Sequence, residues 1–286
     1  AGMYIPTAGA VAIEALHILE SFDLAGMEPA MRAAVVGRAL GVAFQDWQLQ
    51  DSPEAAARIT SKDFAAQRAA ELKETMLEGG GEPESLPSEF QDHFSGSHTT
   101  HLSTSDGEGM MVALTQTLGP IMGSKVATPG LGFLYASTLG GYLGDMQPGE
   151  RARSFICPLM VMKDGKPLLV LGAAGGSMIP VAVVNTIVHF IDEGLSFPQA
   201  VGAPRIAPGF GGGYSMETHV GAGWTGHVVE AVRAMGLEIR EVPRESSFGR
   251  LHGIRFHAES GTWVGVADPD WQGTALGARR RSGGEW

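Results

Sequence analysis

A doubled threonine, Thr99-Thr100, has the clearest chemical potential of any motif in this sequence. It lies between a polar, glycine-containing run and a strand-like run that starts at His101. If the bond between His98 and Thr99 were cut, Thr99 would hold a hydroxyl nucleophile and a free α-amine on one residue. An α-amine has a pKa near ~8 and can accept the hydroxyl proton without a histidine. The motif therefore permits N-terminal-nucleophile chemistry, and the alternative is a capping or strand-edge threonine pair.

Four further motifs follow the threonine pair in order. They are the run Val112–Thr117, the block Met162–Ser177 with its Lys-Asp-Gly-Lys-Pro turn and paired glycines, the tripeptide Ala203-Pro204-Arg205, and Gly265–Pro269. In this order and at these separations they resemble the γ-glutamyltranspeptidase family, and the resemblance extends over nearly the whole chain. Members of that family are made as a longer precursor that cuts itself into a large and a small subunit.

The resemblance implies a division of the chain into four parts. Residues 1–77 are similar to the helical end of the large subunit, and 99–278 to the catalytic small subunit. Residues 78–98 have the composition of a flexible acidic linker before the cleavage site, and 279–286 that of a disordered tail. Hairpins followed by helices indicate an α+β fold. The resemblance to the family further implies a four-layer αββα sandwich. This sandwich is incomplete without an upstream portion, which is either a separate polypeptide or a preceding segment.

The resemblance also implies roles for individual residues. Thr99 is implied as the nucleophile, Thr117 as a hydroxyl that hydrogen-bonds and tunes it, and Gly175 and Gly176 as the source of the oxyanion donors. Preorganised N–H donors suit acyl transfer because negative charge develops on the attacked carbonyl oxygen. The structural alternatives are an ordinary inward-facing threonine at position 117 and a strand-to-helix turn at the two glycines.

The positions that recognise the glutamyl group in this family are changed here. Residues 137–142 hold no acid where the family has an acidic pair for the α-amino group, and Asp145 lies three residues further on. Phe155 replaces one serine of the pair that holds the α-carboxylate, and Gly119 replaces an asparagine. Losing a charged anchor costs roughly 2–5 kcal/mol of binding. We therefore expect an altered acyl pocket, in which either Arg151 or Arg153 could pair with an anionic acyl group. Its candidate residues are Arg151, Ser154, Phe155, Gly119, Gly141 and Tyr142.

Composition limits the partners and cofactors. The net charge of −11 argues against nucleic acid, whose binding needs a basic surface. The single cysteine, Cys157, excludes an internal disulfide and is expected to be a small buried side chain. No apolar run reaches the ~18 residues of a membrane span, and no signal peptide is visible. His98 and His101 lack metal-ligand spacing, so we expect no metal and no other cofactor.

The apolar periodicity predicts the secondary structure. Helices are predicted over residues 10–21, 29–47, 61–76, 178–193, 197–201 and 226–235. Strands are predicted over 101–105, 109–117, 155–162, 167–171, 237–242, 251–257 and 263–266, with turns at 106–108 and 163–166. The glycine-rich segment 209–213 is predicted to be a mobile surface loop, because no phosphate-binding lysine follows it.

The sequence therefore predicts an N-terminal-nucleophile amide hydrolase or acyltransferase similar to the γ-glutamyltranspeptidases. Its expected partners are a small amide substrate and a large-subunit-like polypeptide or missing N-terminal half, in an oligomer of processed subunits. The alternative is an uncleaved, non-catalytic relative that acts as a structural or binding partner of the missing half. The acyl group, the acceptor and the cellular compartment are left open, since a targeting signal would lie upstream.

Overall fold

A computed structural model of the chain describes residues 7–77, 86, 97–138, 148–149, 151–218, 223–243 and 248–277. The described residues form seven helices: α1 (Gly9–Leu19), α2 (Pro29–Trp47), α3 (Pro53–Ile59), α4 (Lys62–Leu77), α5 (Met178–Ile191), α6 (Phe197–Gly202) and α7 (Gly226–Ala234). They also form nine strands: β1 (Ser97–Ser105), β2 (Met111–Pro120), β3 (Leu159–Lys163), β4 (Lys166–Ala174), β5 (Ile206–Pro208), β6 (Tyr214–Thr218), β7 (Ile239–Pro243), β8 (Arg250–His257) and β9 (Thr262–Ala267).

Helices α1 to α4 form an N-terminal helical unit in which α1 packs on α2 and α4. Helix α2 begins at Pro29, a residue that suits the first turn because its missing N–H would have had no helical partner. The three helices predicted in this region are confirmed, with ends that differ by at most two residues. Helix α3 was not predicted, because its seven residues are too few to show an apolar period.

Strand β4 lies at the centre of the structure. It pairs with β3 and β8 in the four-stranded antiparallel sheet β3-β4-β8-β9, and it also packs against helix α5 and against the two-stranded sheet β1-β2. Its residues from Leu169 to Ala173 are fully buried, which explains the unbroken apolar run of this segment. The β3–β4 turn has Asp164 and Gly165 at positive φ, as a tight hairpin requires.

Strand β3 begins at Leu159, whereas the sequence predicted a start at residue 155. Pro158 directly precedes it and has no N–H to donate to a strand ladder, so the pairing starts after the proline. Cys157 is completely buried, and burial raises the pKa of its thiol to about 12. The prediction that Cys157 is a buried structural side chain is therefore confirmed.

Strands β5, β6 and β7 form a third sheet, in which β5 pairs with β6 antiparallel and β6 with β7 parallel. Strands β5 and β6 were not predicted, since β5 has only three residues. The segment 209–213, predicted as a mobile surface loop, is the turn between them: the N–H of Gly209 donates to the carbonyl of Gly213 at 2.8 Å. Positive φ angles at residues 211–213 explain why these three positions are glycines.

Candidate active site

The two threonines singled out by the sequence face each other across the β1–β2 ladder. The antiparallel register pairs Thr99 with Thr117, and it shifts by one residue between His98 and Thr99, so that His98 pairs with Gly119. The extra residue on β2 makes a β-bulge, which bends the strand at this point. The peptide bond before Thr99 therefore lies at an irregularity of the ladder.

The Thr117 hydroxyl connects the Thr99 side chain to the carbonyl of His98. Its Oγ1 accepts a hydrogen bond from the Thr99 hydroxyl at 3.2 Å and another from the Gly119 N–H at 3.0 Å. The same hydroxyl donates to the His98 carbonyl oxygen at 3.1 Å. The Thr99 hydroxyl and the carbonyl of the preceding residue therefore share one hydrogen-bonding partner, the Thr117 hydroxyl, which polarises that carbonyl.

The residues beside this bond are held by further contacts. The backbone N–H of Met122 donates to Nδ1 of His98 at 3.2 Å, which holds the exposed ring against the backbone. Gly119 has a φ of +80°, and a Cβ there would lie 2.7 Å from the carbonyl oxygen of Ser137. Only glycine fits this position without strain, so its N–H is kept in place to donate to Thr117.

His101, two residues after Thr99, attaches strand β1 to strand β4. Its Nδ1 and Nε2 each lie 2.8 Å from a hydroxyl oxygen, of Thr115 and Ser103 respectively. Its ring lies on Gly172, where a Cβ would come within 2.5 Å of ring atoms. Burial, with a smaller contribution from His252, lowers the pKa of His101 to about 4, so the ring is neutral at pH 7. Sequence reasoning considered His101 only as a metal ligand and missed this structural contact.

Gly175 and Gly176 form the turn between strand β4 and helix α5. Their φ angles are +138° and +56°, and their carbonyl oxygens accept hydrogen bonds from the N–H groups of Met178 and Ile179 at the start of α5. Among the described residues, neither glycine N–H donates a hydrogen bond to another protein group. These two N–H groups lie at the N-terminal end of an α-helix, where the helix dipole favours negative charge.

The structure places the other predicted site residues as follows. Arg151 is exposed, and the carbonyl of Ser154 accepts a hydrogen bond from the N–H of Ala8 at 2.9 Å. The Phe155 side chain is buried, with its ring 5.2 Å from the ring of Trp47 at the end of α2. Residues 141 and 142 lie outside the described residues. The segment 151–155 is thus anchored on the N-terminal helical unit.

Neither a metal site nor a membrane-spanning helix is found in the part of the chain that the structure describes. No three His, Cys, Asp or Glu side chains within the described ranges are grouped to hold a metal ion. None of the described helices combines the length and the apolar character needed to cross a bilayer.

Comparison with known proteins gives one family for nearly the whole chain. Residues 1–278 match the family described as gamma-glutamyltranspeptidase. The glutathione hydrolase proenzyme of Bacillus subtilis is 30% identical over 185 residues, which cover 63% of this chain and 30% of that protein. The acylase ACY 1 proenzyme of Pseudomonas sp. (strain V22) is 29% identical over 271 residues, covering 88% of this chain and 45% of that protein. The chain therefore spans less than half the length of these relatives.

Two solved structures extend the comparison to the fold. One is the gamma-glutamyltranspeptidase from Pseudomonas nitroreducens complexed with L-DON. The match covers 63% of this chain and 100% of that chain, with a TM-score of 0.53 and 26% identity. The match to the cephalosporin acylase from Bacillus halodurans covers 94% of this chain and 50% of the acylase chain, with a TM-score of 0.75 and 24% identity. The second match shows a shared fold.

Proposed function

Since this chain belongs to the gamma-glutamyltranspeptidase family, we propose that it is an amidohydrolase or acyltransferase whose nucleophile is Thr99, freed by self-cleavage of the bond after His98. The observation that carries the proposal is the pair of hydrogen bonds made by Thr117, one from the Thr99 hydroxyl and one to the His98 carbonyl. In an ordinary strand pair, neither contact would be needed.

The self-cleavage reaction follows from these contacts. The Thr99 Oγ1 attacks the carbonyl carbon of His98, and negative charge develops on the carbonyl oxygen that Thr117 already contacts. The C–N bond to Thr99 then breaks, and the hydroxyl proton ends on the Thr99 nitrogen, which leaves an ester. Water opens the ester to give a carboxylate at His98 and a free hydroxyl and α-amine on Thr99. The β-bulge supports this step because it bends the chain at the bond that must distort.

The same threonine then acts on an amide substrate. The new α-amine takes the Thr99 hydroxyl proton while Oγ1 attacks the substrate carbonyl, and the acyl-enzyme is released to water or to an amine. We assign the oxyanion donors to the N–H groups of Gly175 and Gly176. The two glycines, with their positive φ angles, lie just before the N-terminal start of α5. Among the described residues, no protein group accepts a hydrogen bond from their N–H groups.

The proposed acyl group differs from an unmodified γ-glutamyl group. Residues 137–142 contain no carboxylate to hold an α-amino cation, and the phenyl ring at position 155 is packed into the core against Trp47. Acylases as well as glutathione hydrolases are among the relatives. We assign acyl recognition to the region of Arg151, Ser154, Phe155, Gly119, Gly141 and Tyr142, with acyl groups that lack the α-amino cation as the favoured class.

The proposed partner is a large-subunit-like polypeptide or missing N-terminal half, since this chain spans less than half the length of the relatives it matches. The outward face of the β1–β2 sheet exposes a group of apolar side chains: Leu102 and Leu114 form a cross-strand pair and are 56% and 39% exposed, and Val112 beside them is 41% exposed. A sheet face of this kind is normally covered by another layer. With that layer the fold becomes the four-layer αββα sandwich, with residues 1–77 and 99–278 as its large- and small-subunit parts. The parts are joined before cleavage by 78–98, with 279–286 as a tail.

The first experiment is intact-mass spectrometry of the purified full-length protein and of its Thr99→Ala variant. We expect the wild-type protein to give a fragment that begins with a free Thr99 amine, and the variant to stay whole. A Thr99→Ser variant retains a hydroxyl and should still be cut. An uncut wild-type protein would instead support the non-catalytic alternative. Cleavage of Thr99→Ala at the same bond would contradict self-cleavage by the Thr99 hydroxyl.

A further inference from the structure

A fully buried arginine, Arg205, has its guanidinium divided among three separate chain segments. One terminal nitrogen donates to the carbonyl of Gly249, and the other donates at 2.9 Å both to the carbonyl of Val201 and to Oδ2 of Asp268. Both side chains of the Arg205–Asp268 ion pair are 0% exposed. A buried charge is tolerated only when it is paired and hydrogen-bonded, so these contacts fix the positions of the three acceptors relative to one another.

Asp268 is itself hydrogen-bonded to the backbone through both its carboxylate and its own N–H. Its carboxylate accepts hydrogen bonds from the N–H groups of Leu251 and Asp270, and its own N–H donates to the carbonyl of Leu251 at 2.8 Å. Leu251 belongs to strand β8, which starts one residue after Gly249. The ion pair therefore holds the start of β8 at two points, by Asp268 at residue 251 and by Arg205 at residue 249.

Gly249 connects this ion pair to the glycine turn of the active site. It is buried between the turn and helix α5: a Cβ on Gly175 would lie 2.9 Å from its Cα, and a Cβ on Gly249 would lie 2.8 Å from the carbonyl oxygen of Met178. The backbone of Gly249 thus forms one wall against which the Gly175–Gly176 turn rests. A displacement of Gly249 would leave room for that turn to change its positive φ angles.

We infer that Arg205 is a positioning residue, which acts through Gly249 to hold the Gly175–Gly176 N–H groups in the geometry of an oxyanion site. This inference rests on the proposed function of that turn. Arginine is required because a planar guanidinium can donate in several fixed directions at once, whereas the single ammonium of lysine cannot reach three such acceptors. Asp268 holds the guanidinium in place and supplies its counter-charge.

The test compares Arg205→Lys with Arg68→Lys in the full-length protein. Arg68 makes a bidentate ion pair with Asp46, at 2.7 and 2.5 Å, within the N-terminal helical unit, and it contacts neither glycine. Both substitutions keep a positive charge and break a multidentate contact, so the second controls for general loss of stability. Hydrogen–deuterium exchange of the amides at 175–177, Tm, kcat and KM are measured for each protein.

For Arg205→Lys we expect exchange at 175–177 to be about 10-fold faster and kcat to be lower by about 10-fold or more, with KM within about twofold. Arg68→Lys should leave exchange at these residues and kcat unchanged, even where its Tm falls as much. Should Arg205→Lys fail to fold, Asp268→Asn is measured instead. It removes the counter-charge while keeping the side-chain shape, and the same two changes are expected.

Unchanged exchange at 175–177 in the Arg205 variant would overturn the inference, and so would equal changes in both variants. Faster exchange with an unchanged kcat would also overturn it, because the turn would then move without affecting catalysis. Failure of the proposed function is a different result, since the wild-type protein would then show no turnover. The exchange measurement needs no turnover, and it would still decide whether Arg205 holds the turn.

Discussion

Replacing Thr117 by alanine removes a side chain that contacts both the proposed nucleophile and the carbonyl of the bond to be cut. The substitution deletes the hydrogen bond from the Thr99 hydroxyl at 3.2 Å, the one from the Gly119 N–H at 3.0 Å and the one to the His98 carbonyl at 3.1 Å. The backbone pairing of β1 with β2 does not depend on this hydroxyl, so the fold should persist.

The expected magnitude comes from the contact with the carbonyl. In the folded precursor this is a neutral hydrogen bond, worth about 1 kcal/mol. As Thr99 attacks, the His98 oxygen becomes an oxyanion, and losing a donor to an oxyanion costs roughly 2.7–4 kcal/mol, or about 10²–10³ in rate. Thr117 is only half-buried, which favours the lower end of that range. We therefore expect self-cleavage of Thr117→Ala to be about 100-fold slower than that of the wild-type protein.

The assay follows the conversion of the full-length precursor into two fragments by intact-mass spectrometry over time. Thr117→Ser keeps the hydroxyl and should cleave at close to the wild-type rate. Thr115→Ala is the matched control, because Thr115 lies on the same face of β2 but its hydroxyl contacts His101 instead of the cleavage site. It should lower Tm and change the cleavage rate by no more than a few-fold.

Two results would refute this reasoning. If Thr117→Ala is cleaved at the wild-type rate, the hydroxyl does not stabilise the oxyanion, and Thr117 is an ordinary strand residue. If Thr115→Ala slows cleavage as much as Thr117→Ala, the effect comes from a disturbed β1–β2 ladder. In the processed enzyme we expect Thr117→Ala to lower kcat by about 100-fold with little change in KM, because the interaction is made mainly in the transition state.

Two further predictions concern the acyl group and pH. The processed enzyme should hydrolyse γ-glutamyl and deaminated glutaryl amides with similar kcat/KM, since residues 137–142 hold no acid for an α-amino group; strong preference for the γ-glutamyl donor in competition assays would contradict this. His101 should make the protein less stable at low pH, because its folded pKa of about 4 lies below the ordinary value of 6.5 and the unfolded chain therefore binds more protons. The stability that depends on a neutral His101 is fully present above pH 6.5 and is lost as pH falls towards 4. Denaturant unfolding should show a loss of roughly 2 kcal/mol between pH 7 and pH 5 that His101→Asn removes, and an unchanged pH dependence in that variant would refute the assignment.

The sequence by itself was enough to predict the active-site hairpin. The Asp106 turn lies between two strand-like runs, and its carboxylate accepts hydrogen bonds from the N–H groups of Glu108 and Met110 at 2.9 Å. The register came from the structure: the turn spans 106–110 and pairs Ser105 with Met111, which sets Thr99 opposite Thr117, whereas a turn at 106–108 would set it opposite Thr115. The helices with a clear apolar period were also predictable, since they depend on residues close together in sequence.

Only the tertiary structure decided how this hairpin meets the rest of the chain. The ring of His101 lies on Gly172, the Phe155 ring lies against Trp47, and Arg205 is paired with Asp268, 63 residues away. Periodicity shows which face of an element is apolar, but it does not show which distant element covers that face. These contacts arise when separate elements pack together, and a glycine such as Gly172 shows its purpose only when the ring above it is in place.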